Sequence, residues 1–581
     1  MSLDAAAATG LAVRRPGSIA RDRLWLLAGG LLLYLPGLGL RDPWPADEPR
    51  FALIARDMAA TGQWLVPQVG GDLYQDKPPV FFWAIGALYA LLGDLRVAFL
   101  LPSLLAALGS LLLVHDLARR VWSREAGLAA AALLAVSVQF VLQARAAQID
   151  MLLTFLVTAS LYGIGRHLLL GPDWRAYALG GFAAGLGVIT KGTGFLALLA
   201  LLPYAALRRA GFEGLWAGRG ARRWWLAPAA ALAAIALWLV PMLLVVALSG
   251  DPALAAYRDE ILLRQTVERY SAAWAHQAPW YYFILQVIPG LWLPGTALLP
   301  WLVPGWRRAI AGRDGRPLLF LGWAVLVVVF FSLSSGKRGV YILPALPAFA
   351  LAAAPLLPDL WRRQAVQTTL FVLAAAAAGL VAGAAAYLAW FDPGQRAVLE
   401  ARYGVTSLAP LVVIAAAATV LLALLRPRRG FAAWAAVLAV AVCVTGLWVA
   451  PMIDGARSGR DFIRALERAV PAGAELGMVR YREQYLLQLT RPATNFGHRR
   501  DERDEQELFD AAAWLGAAPG RVLMVDAAGR ARCFGSAAAI GVGEANRKAW
   551  YLVSAPAGPD CAARDDPGAV RHYAPPAAAR P

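Results

Sequence analysis

Asp47 and Glu48 lie side by side in RDPWPADEPRFALIARDMAATG, and Asp76 and Lys77 lie side by side before Pro78-Pro79. These charges sit close to long apolar runs. Charges near a bilayer are costly and persist where they bind or react. A carboxylate in this place suits a general base for a hydroxyl, a metal ligand, or a cap for the helix that Pro49 would open. Spacing alone leaves those three uses open for Asp47. Lys77 is the only lysine in the first 190 residues of an Arg-rich chain. A compact ammonium stiffened by two prolines suits an anion, although a solvated loop lysine would look the same.

Further candidates follow along the chain. Asp150 opens an apolar run after QARAAQ, where a helix cap would also explain it. Lys191 precedes Gly192, which suits a helix C-terminus equally well. The stretch 251–280 holds Glu260, Arg264, Glu268, Arg269, Tyr270 and His276 before the aromatic run Trp280-Tyr281-Tyr282-Phe283. His276 could hold a divalent metal with Asp76, but a lone histidine is more often structural. The aromatics read most simply as an interfacial belt. Lys337-Arg338-Gly339-Val340-Tyr341 offers two cations and a hydroxyl to a phosphate. No Ser-His-Asp, Cys-His or zinc-hydrolase spacing stands out, and GLGVITKGTG lacks the spacing of a phosphate-cradling loop.

The elements that must position these groups are apolar. Of 581 residues, 59% are hydrophobic and 16% charged, too much apolar surface for a soluble chain. The net charge of +17 comes mostly from arginines in short runs between apolar segments. That is the pattern of cytoplasmic loops, so nucleic-acid binding is set aside. Apolar runs fall near 24–40, 96–116, 126–144, 151–169, 176–190, 194–207, 225–248, 281–303, 317–334, 339–357, 367–390, 407–425 and 431–451. They imply an all-α polytopic membrane protein of about 13 transmembrane helices. The run 80–93 is too short to span. If it is a surface helix in the first outer loop, 41–95, every arginine cluster falls on one side. The N-terminal segment 1–23 is then cytoplasmic and begins an uncleaved anchor. A membrane domain covers 24–451. The tail, 452–581, mixes RDFIRALERAV with short β-like runs such as RVLMVD and reads as a small outer α/β domain. Cys533 and Cys561 lie in it and could pair there.

With this order of parts, the chain resembles bacterial lipid-carrier glycosyltransferases of the GT-C fold. The closest are aminoarabinose transferases of lipid A and the related protein O-mannosyltransferases. The resemblance rests on Asp47-Glu48, Tyr74-Gln75-Asp76-Lys77-Pro78-Pro79, ARAAQIDMLLT, TKGTGF, HQAPWYYF and FFSLSSGKRGVYILPALPAFAL, and covers about residues 24–360. It implies an inverting transfer of a sugar from a polyprenyl (undecaprenyl) phosphate to an acceptor at the periplasmic face of the bacterial inner membrane. The acceptor would be lipid A or another glycolipid, with a protein acceptor as the alternative, and no nucleotide is needed. The family's catalytic carboxylate falls on Asp47, with Asp150 and Lys191 positioning it. Phosphate and substrate contacts fall on Lys77, Arg269 and Tyr341, joined by Glu48, Arg50 and Lys337. The metal pair, for zinc or a similar ion, falls on Asp76 and His276, where Asp is one methylene shorter than the usual Glu. The usual Gly-Lys-Leu-Pro-x-Tyr is here Gly336-Lys337-Arg338-Gly339-Val340-Tyr341. A transporter or flippase is the reading from another class, and it would carry polar groups at mid-membrane in broken helices.

Overall fold

A computed structural model describes residues 16–218, 221–262, 277–498, 505–535, 538–558, 561 and 570–576. Among these, six helices are long and apolar enough to cross a bilayer: Leu95–Val121, Ile149–Leu170, Arg222–Ser249, Gly315–Leu333, Gln364–Phe391 and Pro427–Ala469. Two further pairs would pass if each is one bent span. Arg124–Ala135 with Val138–Ala144 turns through 68°, and Phe283–Leu291 with Thr296–Ala311 turns through 96°. Some apolar runs are therefore shorter or less regular than composition implies. The first helix, Pro16–Tyr34, stops before Pro36, and the run beginning at 194 starts as the 3-10 helix Thr193–Ala200.

The two bends are stitched to each other. Backbone freed inside a membrane protein must find partners within the protein. The Val138 amide donates to the Leu293 carbonyl at 2.9 Å, and Trp292 Nε1 donates to Gln139 Oε1 at 2.8 Å. Gln139 Nε2 then donates to the Gly339 carbonyl at 2.7 Å. Broken helices carrying a buried amide are what a transporter would show. Here the groups at the breaks bond one another, and their effect is to fix the turn that carries residues 337–341.

Close helix packing sets the position of Lys191. The helix Trp174–Lys191 lies against Leu226–Ser249 through Gly181 and Gly185, four residues apart. A Cβ on Gly181 would stand 2.1 Å from the Ala227 carbonyl oxygen, and one on Gly185 would stand 2.2 Å from that of Ala231. Only glycine allows this approach, the small-residue contact typical of membrane helices. The helix ends at Lys191, where Gly192 takes φ +80°.

The segment after the first helix forms Glu48–Thr61, a two-strand hairpin (Gln68–Val69 with Asp72–Leu73) and the helix Val80–Leu92. At 13 residues the last is about 20 Å long, short of the ~30 Å hydrocarbon core. Phe81 and Phe82 pack on Phe51 with ring centroids 5.7 Å apart.

The tail is α/β. Glu475–Met478 pairs in parallel with Ala493–Asn495 on one side and Arg521–Asp526 on the other. Lys548–Val553, Ala539–Ala545 and Arg571–Tyr573 extend the sheet antiparallel. Cys533 and Cys561 form a disulfide. The tail and the first loop share one core, in which Phe51, Phe81 and Phe82 are buried with Tyr485, Leu486 and Trp550. Polar contacts reinforce it: Asn495 Nδ2 donates to the Gly70 carbonyl at 3.0 Å, and Arg571 Nε reaches Asp72 at 2.9 Å.

Candidate active site

Asp47 sits at the N-cap position of the helix Glu48–Thr61, yet its side chain makes no capping bond. Its Oδ2 instead accepts from Arg338 Nη2 at 2.9 Å, across 291 residues of sequence, and Arg50 Nη1 lies 3.8 Å from Oδ1. Burial alone would raise the Asp47 pKa. The Arg338 charge and hydrogen bond, with Arg50 and Lys191 behind them, more than offset burial and hold the carboxyl below the usual carboxylate range. An ionised, mostly buried carboxylate next to two guanidiniums is the result.

The second element of the site is an ion pair. Asp150 lies inside the helix Ile149–Leu170, whose N-cap is Gln148, so capping does not account for it. Asp150 accepts from Lys191, and both side chains are largely buried. The Lys191 ammonium also stands 4.6 Å from the Tyr341 ring centroid, a cation–π distance. The Arg338 guanidinium feels Asp47 first, then Asp150 and Tyr341. Asp47, Arg338, Asp150, Lys191 and Tyr341 thus meet, although they come from four separate stretches of chain.

The remaining sequence candidates divide. Glu48 faces inward: Arg41 holds both its oxygens, at 2.5 and 2.8 Å, and the Trp44 and Ala147 amides donate to it at 2.9 and 3.0 Å. Its bonds tie the first loop to the turn before Asp150. Arg50 joins Asp47 to the tail, since its Nε donates to Glu483 Oε1 at 2.5 Å and it also bonds Tyr74. Lys77 donates to the Asp76 carbonyl at 2.8 Å, just before the helix Val80–Leu92. Lys337 is turned toward backbone: its ammonium donates to the Ala278 carbonyl at 2.8 Å and to that of Ser334. Within its motif it is the extra cation, Arg338, that reaches Asp47. Arg269 and His276 lie outside the described residues. Among the described residues, no group of three His, Cys, Asp or Glu side chains is placed to hold a metal ion.

Sequence reasoning passed over Arg41, Gln139 and Glu483. Gln139 carried a usable signal, as an amide inside the apolar run 126–144. Glu483 carried none, because its partner is 433 residues away.

A helical body with long apolar spans, a buried carboxylate beside two guanidiniums and the Asp150–Lys191 ion pair fits a polytopic protein with a site for charged groups. The comparisons narrow it. Residues 76–246 match the family described as dolichyl-phosphate-mannose-protein mannosyltransferase. The chain is 32% identical over 355 residues to undecaprenyl phosphate-alpha-4-amino-4-deoxy-L-arabinose arabinosyl transferase 1 of Pseudomonas fluorescens, covering 58% of this chain and 59% of that one. It is 34% identical over 337 residues to the arabinosyl transferase of the same description from Pseudomonas aeruginosa strain PAO1, covering 56% and 58%. The chain therefore matches under three fifths of the length of these curated relatives. In structure it resembles ArnT from Cupriavidus metallidurans bound to undecaprenyl phosphate, with a TM-score of 0.72 at 22% identity, covering 94% of this chain and 99% of that one. The apo form of the same ArnT gives a TM-score of 0.69. The chain is thus similar in sequence to the aminoarabinose transferases over part of their length, carries a segment that matches the mannosyltransferase family, and shares the fold of ArnT.

Proposed function

We propose that the protein is an integral-membrane, inverting glycosyltransferase. It would move a sugar from a polyprenyl (undecaprenyl) phosphate to an acceptor at the outer face of the inner membrane, lipid A or another glycolipid. The observation that carries this reading is the meeting of Asp47, Arg338, Asp150, Lys191 and Tyr341 from separate stretches. The names of the curated relatives support the donor and the sugar class. The mannosyltransferase match is the specific support for the second reading, a protein acceptor, but it spans 171 residues only (246 − 76 + 1).

In this reading the bond from the anomeric carbon to the phosphate oxygen breaks, and its electron pair leaves with the phosphate. Cations aimed at that developing charge in a water-poor site lower the barrier most. Arg338 and Lys77 would serve, with the Tyr341 hydroxyl and Arg269. The acceptor oxygen attacks the opposite face, which inverts the centre. If the acceptor is a hydroxyl, Asp47 takes its proton; the neighbouring guanidiniums keep that carboxylate ionised and ready. If the acceptor is a phosphate, Asp47 orients it. The Asp150–Lys191 pair holds Tyr341 and the Arg338 turn in register. Asp76 and His276 are a proposed ligand pair for a divalent ion, and no step above runs through that ion.

The finer architecture belongs to the same proposal. Thirteen spans, a cytoplasmic N-terminus and a periplasmic tail from 452 put the arginine clusters on one side, as the positive-inside pattern requires. Incubating purified protein with radiolabelled undecaprenyl-phosphate sugars and candidate acceptors tests the chemistry. Asp47→Asn is expected to lower transfer by at least ~100-fold, the usual weight of a positioned base. Equal transfer by this variant and the wild type would end the assignment.

A further inference from the structure

A cavity of about 250 Å³ lies apart from the site just described, and none of Asp47, Asp150, Lys191 or Arg338 lines it. Its walls come from the end of the first helix, the helix Leu101–Val121, the half-span Val138–Ala144 and the last long helical stretch near Gly446. Most of the lining is apolar, including Leu38, Leu104, Leu142 and Val449. Leu142 is 53% exposed, so the cavity opens sideways, where lipid chains would lie. Gly37 and Gly446 are in backbone contact beside it: a Cβ on Gly37 would stand 3.1 Å from the Gly446 Cα.

Two guanidiniums also line this apolar space, and they differ. Arg41 is neutralised by Glu48. Arg145 has no carboxylate partner among the described residues: its Nη2 donates to the carbonyls of Pro36 and Val442 at 2.9 and 3.1 Å. Its Nε is buried without any partner. Carbonyls orient a guanidinium but leave its charge uncompensated, and a cation at membrane depth is costly unless an anion joins it. A third guanidinium, Arg457, stands 5.0 Å from the ring of Trp44, another wall residue. Trp44 Nε1 also donates to Asp454 at 2.9 Å, but that carboxylate is paired with Arg460 at 2.8 Å, so the local balance stays positive, and the walls suit an acyl chain better than a hydrated ion.

We propose that this cavity binds an anionic phospholipid, its phosphate on Arg145 beside Arg41 and one acyl chain between Leu104, Leu142 and Val449. A phosphate against the Arg145 guanidinium supplies the missing counter-charge, in the planar geometry guanidinium favours. Because Arg41 carries Glu48, which also holds the Trp44 and Ala147 amides, the bound lipid braces the turn that leads to Asp150. The proposal rests on the membrane orientation proposed above, but not on glycosyl transfer.

The test reads lipid binding directly. Delipidated full-length protein is titrated with phosphatidylglycerol or phosphatidylcholine of matched chains, and bound lipid is counted by native mass spectrometry. The wild type is expected to prefer phosphatidylglycerol. Losing one charge-assisted contact in Arg145→Gln should weaken it by about tenfold, with phosphatidylcholine unaffected. Leu142→Trp changes an exposed position and no charge; it should weaken phosphatidylglycerol by obstructing the opening, and it carries the test alone if Arg145→Gln fails to fold. Millimolar inorganic phosphate should not displace the lipid. Equal phosphatidylglycerol binding by the wild type and both variants overturns the proposal, as does displacement by inorganic phosphate, which would mark a free-anion site. Loss of sugar transfer with lipid preference intact would fault the enzyme assignment and leave this site standing.

Discussion

Replacing Arg338 with glutamine removes the cation that dominates the surroundings of Asp47. In the native chain two opposing effects act on that carboxyl: burial raises its pKa, and Arg338, Arg50 and Lys191 bring it below the usual range. An opposite charge within hydrogen-bond reach lowers a carboxyl pKa by about 1–3 units. Arg338 is 38% exposed along its side chain, so solvent screens it and the low end applies. Arg50, at 3.8 Å, remains. The expected shift is therefore upward, toward the neutral form. The assay is the pH dependence of sugar transfer from a polyprenyl-phosphate donor, with Lys337→Gln as the companion. The acid limb of the rate profile should move to higher pH in Arg338→Gln. It should stay in place in Lys337→Gln, because that ammonium is bonded to the Ala278 and Ser334 carbonyls. An unmoved limb in folded Arg338→Gln, or equal movement in both variants, refutes the reasoning.

Other consequences can be checked with the same preparations. Lys191→Met and Asp150→Asn should each lower transfer by ~100-fold and the double variant by little more, since each leaves its partner uncompensated; additive losses in the full cycle would show that the two do not act as a pair. Glu483→Gln should loosen the tail from the first loop, read as faster proteolysis of the tail. Burial raises the Glu483 carboxyl, but His498 and Arg50 hold it well below the usual range. Its folded-state pKa is thus depressed, so its contribution is full above about pH 4.3, the unfolded value, and fades only as pH falls through the lower folded one. The Glu483 carboxyl itself should accordingly add no pH dependence to docking between about pH 5 and 8. Cys533→Ser should make the tail easier to cleave, since closing a loop of 28 residues stabilises by about 3–4 kcal/mol in the chain-entropy picture; unchanged protease resistance would show that the bond does not constrain the tail.

Composition and arginine placement were enough to read a polytopic helical protein with an α/β tail, because hydrophobic spans and charged loops are local signals. Local signals also placed Asp47, Asp150 and Lys191 at helix ends. They could not tell capping from chemistry, since a cap and a catalytic group use the same residue types. Only the fold separates these uses: the Asp47 side chain caps nothing, and Asp150 follows its helix's true cap. The choice between Lys337 and Arg338 was beyond the sequence as well. It depends on how Gln139 and Trp292 hold the Gly339 turn, through contacts spanning 153 to 200 residues. The regular spans expected from composition gave way where Pro36 ends the first helix and where two bends bond each other. Apolar content sets which segments enter the membrane, but not where a helix must break to carry a site.

The central claim is that sugar passes from a lipid monophosphate to an acceptor through the carboxylate at Asp47. Its most direct measurement is product accounting in reconstituted membranes: free undecaprenyl phosphate and glycosylated acceptor quantified together over time. Equimolar appearance of both, with the anomeric centre inverted and both lost in Asp47→Asn, is the expected result. Glycosylated acceptor formed only from a nucleotide sugar, or formed equally by Asp47→Asn, would contradict it.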